Sequence, residues 1–414
     1  MVKDYKKAEY YYDKLFTKDR GQIYAEGQFW LAMMQKNNGD YSDALRNFKK
    51  FNKKVKRDKS SYLYLKSDKE IEACTWALNQ RRNDTGITLR NIDAPVNTDE
   101  SEFAPWLSSD SMLTFTALRQ SDYHTGSEAQ VQVYRSSFDS TFSQPSLIED
   151  ILEVGYQYAN VKFGPGNTTV YFSRCDGRQN CDIYQAEVDG LEWYNVEPVV
   201  SVNKAGFSSS MPHVVLIAET PVMFFASNRA GGQGNMDIWW SEMIEGEFAA
   251  PVNAGFEINS ADNEVSPFYS GGQLYFSSDW HTGFGGFDIF RSAGVPREFA
   301  IPENLGYPLN SQANDLYYAY NTELQTGLFA SNRIGSYSLE GETCCNDIYM
   351  VQYEDSLNKS DDPYENLEDL NKYLPVTLYF HNDEPNPNSR DTTTTLSYLE
   401  AYDSYQALKG KYRN

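Results

Sequence analysis

A pattern that returns every 51 to 57 residues constrains the fold of this chain more than any other feature. Each copy has an apolar segment ending in Phe, then small or polar residues, a loop that usually contains Gly, and in most copies Asp-Ile-aromatic. The recurring aromatic residues are Phe115, Phe172, Phe225, Phe276 and Phe329, with spacings of 57, 53, 51 and 53 residues. Because a regular period of this size marks one structural unit repeated along the chain, residues 100–352 should contain five similar units.

Each unit is predicted to contain four short antiparallel strands. In the third copy these are residues 211–213, the Phe strand, residues 237–239 and an outer strand near residues 250–253. The Gly pair at 231–232 supplies the positive φ that a hairpin between the second and third strands needs. Four such strands repeated around an axis make a β-propeller. We therefore predict a propeller over residues 81–353, with about five blades and six possible.

The run from Phe225 to Trp239 resembles the WD40-like repeat of the TolB propeller family, also called PD40. The recurrent charged residues of this run, such as Arg229 and Asp237, flank a hairpin and could pair across it. Such Asp side chains can also accept backbone N–H groups in the turn. A residue type that recurs in most copies favours a structural role, since a catalytic site is normally built once.

Residues 1–80 carry a helical period instead. Apolar and small residues at positions i, i+3, i+7 and i+10 occur twice, 36 residues apart, and such positions share one face of a helix. The two sets are Tyr5, Ala8, Tyr12 and Leu15, and Tyr41, Ala44, Phe48 and Phe51. This spacing resembles the tetratricopeptide repeat, which implies a helical module that binds peptides in a concave groove.

The balance of charged residues also changes near residue 80, where the helical period ends. Residues 1–80 hold 17 Lys and Arg against 11 Asp and Glu, whereas the whole chain has a net charge of −22. A body this acidic repels nucleic acid phosphates, so a nucleic acid partner is excluded. The Lys-rich stretch at 49–59 is predicted to be a solvated helix face, with docking onto the acidic propeller as an alternative.

The end of the chain has a different character. Residues 354–373 are acidic and polar and are predicted to be a linker. The run Leu-Tyr-Phe-His-Asn-Asp-Glu-Pro at 378–385 resembles the opening strand of an OmpA-like domain. Residues 374–414 are therefore expected to be the incomplete beginning of this α/β domain. In that family the domain binds peptidoglycan through residues beyond this chain. The complete prediction is a multidomain α+β protein with no transmembrane segment in this chain.

This order of modules resembles outer-membrane-associated lipoproteins of the Bacteroidota, among which PorE of the type IX secretion system is a relative. The resemblance implies a periplasmic scaffold or adaptor, lipid-anchored in the full-length protein. It would bind outer-membrane or periplasmic proteins and link a secretion or transport machine to peptidoglycan. Two alternatives stay open. One is a carbohydrate- or peptide-binding accessory module of an outer-membrane importer, and the other is a propeller glycosidase with carboxylates in its channel.

The sequence has no motif for nucleophilic, phosphate-binding or metal-dependent chemistry, so we predict that the chain is not an enzyme and needs no cofactor or metal. Aromatic residues are the candidate partner contacts: Trp280, Phe284, Phe287 and Trp193 are predicted to be exposed. Trp280 occupies the position of an Arg in three sister repeats.

Cys175 and Cys181 flank a predicted hairpin loop that contains Gly. A disulfide between them is geometrically plausible and would imply an oxidising compartment.

Overall fold

The structure is a computed structural model. It describes residues 4–19, 24, 26–80, 86–119, 129–178, 180–338, 343 and 345–353. The linker predicted over 354–373 and the OmpA-like domain predicted over 374–414 therefore lie outside the described residues.

Four α-helices precede the strands, and each packs against the next one along the chain. Phe29, Ala44, Phe48 and Cys74 form the centre of their shared core. The predicted face of the second copy is buried at Ala44, Phe48 and Phe51, whereas Leu15 of the first copy is 38% exposed. Membership of the tetratricopeptide family stays a prediction. No helix of the described residues is both long and apolar enough to span a bilayer. The helices are α1 (Tyr5–Asp19), α2 (Glu26–Asn37), α3 (Tyr41–Val55) and α4 (Tyr62–Asn79).

The strands form five antiparallel sheets, which confirms a five-bladed propeller. Blade 1 contains β2 (Ser101–Leu107), β3 (Met112–Arg119), β4 (Gln130–Ser137) and β5 (Ser146–Leu147). Blade 2 contains β6 (Gln157–Phe163), β7 (Thr169–Cys175), β8 (Cys181–Asp189) and β9 (Glu192–Pro198). Blade 3 contains β10 (Ser209–Ile217), β11 (Thr220–Ser227), β12 (Asp237–Ile244), β13 (Glu247–Phe248) and β14 (Val252–Asn253). Blade 4 contains β15 (Glu264–Ser270), β16 (Gln273–Ser278), β17 (Asp288–Val295), β18 (Glu298–Phe299) and β19 (Glu303–Asn304).

Blade 5 joins the two ends of the propeller. It contains β20 (Asp315–Asn321), β21 (Thr326–Ser331), β22 (Asp347–Tyr353) and, as its outermost strand, β1 (Ile87–Asn91) from the beginning of the repeat region. The register pairs Ile87 with Tyr353 and Asn91 with Tyr349. Strand β1 therefore completes the fifth blade, and the described residues form five blades rather than six.

The first strands of the five blades contact one another in a closed ring around the axis. Each of them contains a β-bulge, and in each bulge one residue has a positive φ between 50° and 61°. These residues are Ala104, Asn160, Met211, Ser266 and Tyr317. Because a bulge bends its strand and redirects the side chains that follow, the same five positions can direct side chains towards the channel.

The repeated Phe residues form the cores between blades. Each one pairs in register with an aromatic residue on the third strand of its own blade, such as Phe225 with Trp239 and Phe329 with Tyr349. All five Phe side chains are essentially buried. The repeated Phe positions of the sequence are thus the buried core positions of the blades. Burial of such large apolar side chains supplies the main favourable free energy of the fold.

Of the two predicted arrangements, the pairing of Arg229 with Asp237 is wrong, and the acceptance of backbone N–H groups by Asp237 is confirmed. The Arg229 guanidinium stacks over Phe225 and Trp239 and donates to Ser209 Oγ at 2.8 Å. The Asp237 carboxylate instead accepts the backbone N–H groups of Gln233 and Gly234 in its own loop. The recurring Asp is therefore a loop-capping residue, as a structural role requires.

Glycines in the loops between the second and third strands allow neighbouring blades to approach closely. A Cβ on Gly285 would lie 2.0 Å from the carbonyl oxygen of Ala313, which belongs to the loop entering blade 5. We expect Gly285→Ala to lower the free energy of unfolding by about 1–3 kcal/mol, because backbone must move to admit the methyl group. Chemical denaturation measures this. Gly177→Ala is the control, since a Cβ there would meet no atom within 4 Å, and an equal loss in both variants would contradict the explanation.

Candidate functional site

The helices are bound to the propeller by a buried charge cluster. Lys66 on α4 lies 3.0 Å from Asp262 Oδ2 of the propeller and 3.3 Å from Glu70 Oε1. Lys36 on α2 lies 2.6 Å from Glu70 Oε2. All four side chains, which we call the Lys66 cluster, are almost completely buried. Because an unpaired buried charge is very costly, this arrangement fixes α2 and α4 against the loop that enters blade 4.

The charges of the Lys66 cluster support one another. Burial alone would lower the pKa of Lys66, but Glu70, Asp262 and Asp279 together raise it above its usual value. Burial likewise acts to raise the pKa of Glu70, and the ammonium groups of Lys36 and Lys66 outweigh it and lower that pKa. Both groups are therefore charged at neutral pH.

Further contacts extend this interface to both sides of the cluster. Tyr62 donates its hydroxyl to Asp262 Oδ1 at 2.8 Å, and Asn314 Nδ2 donates to the Tyr5 hydroxyl at 2.9 Å. Trp76 packs on Phe284 with ring centroids 4.7 Å apart. Helices α1 and α4 thus contact propeller loops directly.

Three of the four predicted partner contacts lie at this interface. Trp280 packs near Tyr62, 6.4 Å between ring centroids, and beneath the Lys66 ammonium group, while Phe284 is buried under Trp76. They are therefore not free surface, because the helices of the same chain cover them. Phe287 is half-buried and lines a groove between helices and propeller.

Trp193, the fourth candidate, is 5% exposed and belongs to the core of blade 2. Its ring packs edge-on against Phe163 at 6.0 Å. The prediction of exposure fails because the Trp193 ring turns into the core of the blade, where it meets Phe163 of β6, although Trp193 itself lies on the outermost strand, β9.

Trp280 departs from its sister repeats for a reason that the sequence does not reveal. In blade 4 the ring above the Phe276–Phe290 pair is His281, at centroid distances of 5.9 and 5.4 Å. His281 thus takes the place that an Arg has in the sister blades, and this releases Trp280 to contact α4.

A groove opens at the junction of helices and propeller, with a cavity volume of about 250 Å³. Trp30 and Met33 of α2 line one side, and Phe287 with the exposed amide Asn235 lines the other. Trp30 is 40% exposed. We call this the junction groove. It combines apolar contact area with an amide that can donate and accept hydrogen bonds.

A second set of side chains fills the propeller channel. Two residues after each bulge residue, the first strands carry Trp106, Lys162, His213, Phe268 and Ala319, which we call the channel layer. Lys162 Nζ of blade 2 donates to the carbonyl oxygen of Pro267 in blade 4 at 3.0 Å. The rings of Trp106 and His213 lie 5.9 Å apart, although their blades are not neighbours. Such contacts must cross the axis, so the channel layer closes the channel.

The carboxylates at the start of the first strands bond to their own loops. Glu264 accepts hydrogen bonds from the Ser260 backbone N–H at 2.7 Å and the Ser278 hydroxyl at 2.6 Å. Burial raises the pKa of Glu264 to about 7. Glu102 and Asp315 hold the equivalent positions and bond to Thr98 and Ser311. None of the five bulge residues or five channel-layer residues is a carboxylate, so these positions do not provide the carboxylates expected by the glycosidase alternative.

No charged group in the described part of the chain pairs with the buried amine of Lys162, and burial lowers its pKa from 10.5 to about 7. His213 faces it from β10, and burial together with Lys162 lowers the pKa of His213 to about 3, so the imidazole is neutral. Tyr171, its cross-strand neighbour on β7, has a pKa that burial raises to about 12. Lys162 also contacts Pro267 and Phe268, and both of these residues are uncharged.

This burial gives a pH-dependent prediction. Between pH 7 and 10.5 the unfolded chain holds a proton on Lys162 that the folded chain has released. Since the unfolded state then binds more protons, this residue makes stability rise with pH across that window. We expect the Lys162→Met variant to be more stable than the wild type at pH 7. Its stability should also increase less between pH 7 and pH 10, because the contribution of Lys162 to that increase is gone. Thermal unfolding from pH 6 to 10 measures both effects, and a variant curve parallel to the wild type would contradict the assignment.

The predicted bond between Cys175 and Cys181 is present as a disulfide, and the two residues pair in register across β7 and β8. Within the described part of the chain, no group of three or more His, Cys, Asp and Glu residues is placed to hold a metal ion.

Sequence reasoning did not identify Lys66, Lys162 or His213. Lys66 stands in a helix among many other lysines, and Asp262 is 196 residues away. Lys162 and His213 do have a signal, because both follow the bulge position of an apolar first strand where sister repeats have Trp, Phe or Ala.

No protein-family model and no curated protein matches the sequence. Solved structures of similar fold include a thermostable family-43 glycoside hydrolase, with 15% identity, 63% of this chain and 90% of that chain covered, and a TM-score of 0.40. RS223-Beta-xylosidase shares 14% identity over 64% of this chain and 94% of its own, with a TM-score of 0.42. A putative TolB from Agrobacterium tumefaciens shares 15% identity over 61% and 79%, with a TM-score of 0.38.

These similarities concern the fold and assign no function to this chain. They nevertheless correct one prediction. Several of the similar structures are glycoside hydrolases, so the statement that the chain is not an enzyme is wrong as an exclusion. A propeller fold is compatible with catalysis, and the absence of a familiar sequence motif does not decide the question.

Proposed function

We propose that the chain is a periplasmic scaffold associated with the outer membrane, which holds an extended segment of another envelope protein in the junction groove. The observation that carries the proposal is the groove itself, which lies between helices and propeller where the Lys66 cluster binds them together. A groove walled by two firmly joined modules needs little rearrangement on binding, which favours affinity.

The residues of the groove suit a protein segment. Trp30, Met33 and Phe287 offer apolar area, and large aromatic residues in partly covered pockets are frequent centres of binding energy. Asn235 can bond to the backbone of a bound segment, as both donor and acceptor.

The location is part of the proposal. A disulfide between Cys175 and Cys181 supports an oxidising compartment, which the periplasm provides. Attachment to an outer-membrane secretion or transport machine, and to peptidoglycan through residues 374–414, rests on the family resemblance of the module order.

A pull-down of the full-length protein from detergent-solubilised envelopes tests the scaffold role. We expect a stoichiometric envelope protein with the wild type and a strong loss of it with Trp30→Ala. Tyr194→Ala is the matched control, because Tyr194 is 44% exposed and lies on blade 2. Recovery of the same proteins with wild type and Trp30→Ala, or of none with either, would overturn the proposal.

A further inference from the structure

One carboxylate that lines the junction groove has no cation paired with it. Asp279 follows β16, and its side chain is half-buried in the wall of the groove. Its two carboxylate oxygens accept the backbone N–H and the side-chain amide of Asn263, at 3.0 and 3.1 Å. None of the ion pairs among the described residues involves Asp279. Because a carboxylate oxygen has two acceptor sites, each oxygen can accept a further hydrogen bond.

Lys66 lies close to Asp279 but is committed to other groups. Lys66 Nζ contacts Asp262 Oδ2, Glu70 Oε1 and the backbone carbonyl oxygen of Asp279, and these contacts account for its three hydrogens. Burial raises the pKa of Asp279, and this effect outweighs the Lys66 ammonium group, which lowers that pKa. The negative charge of Asp279 is therefore only partly balanced within the described chain, and a further cation at the groove would stabilise it.

The charges at the floor of the groove leave an excess of negative charge. The Lys66 cluster supplies two ammonium groups and two carboxylates, and Asp279 adds a third carboxylate. Asn235 and Asn263 also line the groove, and their amides add polar atoms without charge. A ligand that reaches Asp279 can therefore bring one positive charge without meeting an unpaired cation of the cluster.

Aromatic side chains line the same groove as this carboxylate. Trp30 is 40% exposed, and Phe287 is half-buried. The faces of aromatic rings attract cations, and they also pack well against the aliphatic part of a long charged side chain. A side chain with an apolar stem and a cationic end matches both the rings and the carboxylate.

We propose that the segment held in the junction groove presents a lysine or arginine side chain, whose cationic end binds Asp279 and whose stem lies against Trp30 or Phe287. The inference rests on the proposed function and adds the chemistry by which the partner is recognised. Charge complementarity of this kind gives specificity. It also speeds encounter, because residues 81–414 carry 19 Lys and Arg against 47 Asp and Glu.

Segments of other chemistry fit the groove less well. An acidic segment would place a like charge beside Asp279, which costs free energy at close range. A purely apolar segment would cover the Asp279 carboxylate and remove it further from water without giving it a partner, which is also unfavourable.

The test is an array of random heptapeptides probed with the full-length protein. The peptides are acetylated and amidated at their ends, so that only their side chains carry charge. We expect the wild type to select peptides in which a Lys or Arg neighbours a large apolar residue. In the best binder, replacement of that Lys or Arg by Met should weaken binding about tenfold or more, measured by fluorescence polarisation. The protein is unchanged in this comparison, so no folding defect can affect it.

Asp279→Asn tests the other side of the contact. We expect this variant to bind the Lys or Arg peptide about tenfold more weakly than the wild type, and to bind the Met peptide at least as well. Asp189→Asn is the matched control, because Asp189 is exposed at the end of β8 in blade 2 and does not line the groove. It removes the same charge from the chain and should bind both peptides as the wild type does.

The outcomes separate this inference from the proposed function. Selection of peptides without Lys or Arg, by binding that is lost in Trp30→Ala, would overturn the inference and leave the scaffold role standing. Equal binding by the wild type and Trp30→Ala, or no binding of any peptide, would overturn both. Equal effects of Asp279→Asn and Asp189→Asn would overturn the assignment of the cationic group to Asp279.

Discussion

Replacing Lys66 with Met should lower the free energy of unfolding by about 3–5 kcal/mol, because the change leaves the Asp262 carboxylate buried without its partner. Glu70 keeps Lys36, so the loss falls mainly on the contact between α4 and the propeller. Urea unfolding followed by circular dichroism at 222 nm reports the helices and measures the change. We expect the helical signal to be lost at lower urea than the propeller signal in this variant.

Lys69→Met on the same helix is the matched control. Lys69 pairs with Glu72 at 3.1 Å, but its side chain is 42% exposed, and such a pair contributes less than about 1 kcal/mol. Equal effects at positions 66 and 69 would mean that the helices are not fixed to the propeller by the Lys66 cluster.

Phe225→Ala should cost about 3–5 kcal/mol, the range for truncating a fully buried aromatic side chain. Phe225 is completely buried in the core that blades 2 and 3 share, with Trp239 and Tyr171 in the same cluster. Its removal also takes away the ring over which the Arg229 guanidinium stacks at 4.9 Å. Equilibrium unfolding followed by Trp fluorescence gives the change.

The control is Phe256→Ala, since Phe256 is 74% exposed in the loop between blades 3 and 4. Its truncation should change stability by less than about 0.5 kcal/mol. A loss at Phe225 no larger than that at Phe256 would contradict the assignment of the repeated Phe to the blade core.

The sequence allowed prediction of the features that depend on local pattern. The period of Phe residues predicted the blades, because each blade must bury its own large aromatic side chain. The disulfide followed from two cysteines beside one hairpin. The helical period identified Ala44 and Phe48 as buried.

Features made by distant residues were not predictable in this way. The pairing of β1 with β22 joins positions 87 and 353, and nothing in the five-residue β1 sequence indicates its partner strand. Trp280 looked like an exposed departure from the repeat pattern because its cover, Tyr62, comes from another module. The role of Arg229 was misassigned for a similar reason, since its partner Ser209 lies on the first strand rather than across the hairpin.

Photo-crosslinking from position 30 in cell envelopes tests the central claim, that the junction groove holds a segment of another envelope protein. A benzophenone amino acid replaces Trp30 in the full-length protein, and position 256 on the propeller surface carries it in the control. The account predicts one dominant crosslinked envelope protein from position 30, joined through a single segment, and no such product from position 256. The same diffuse products from both positions, or none from position 30, would contradict it.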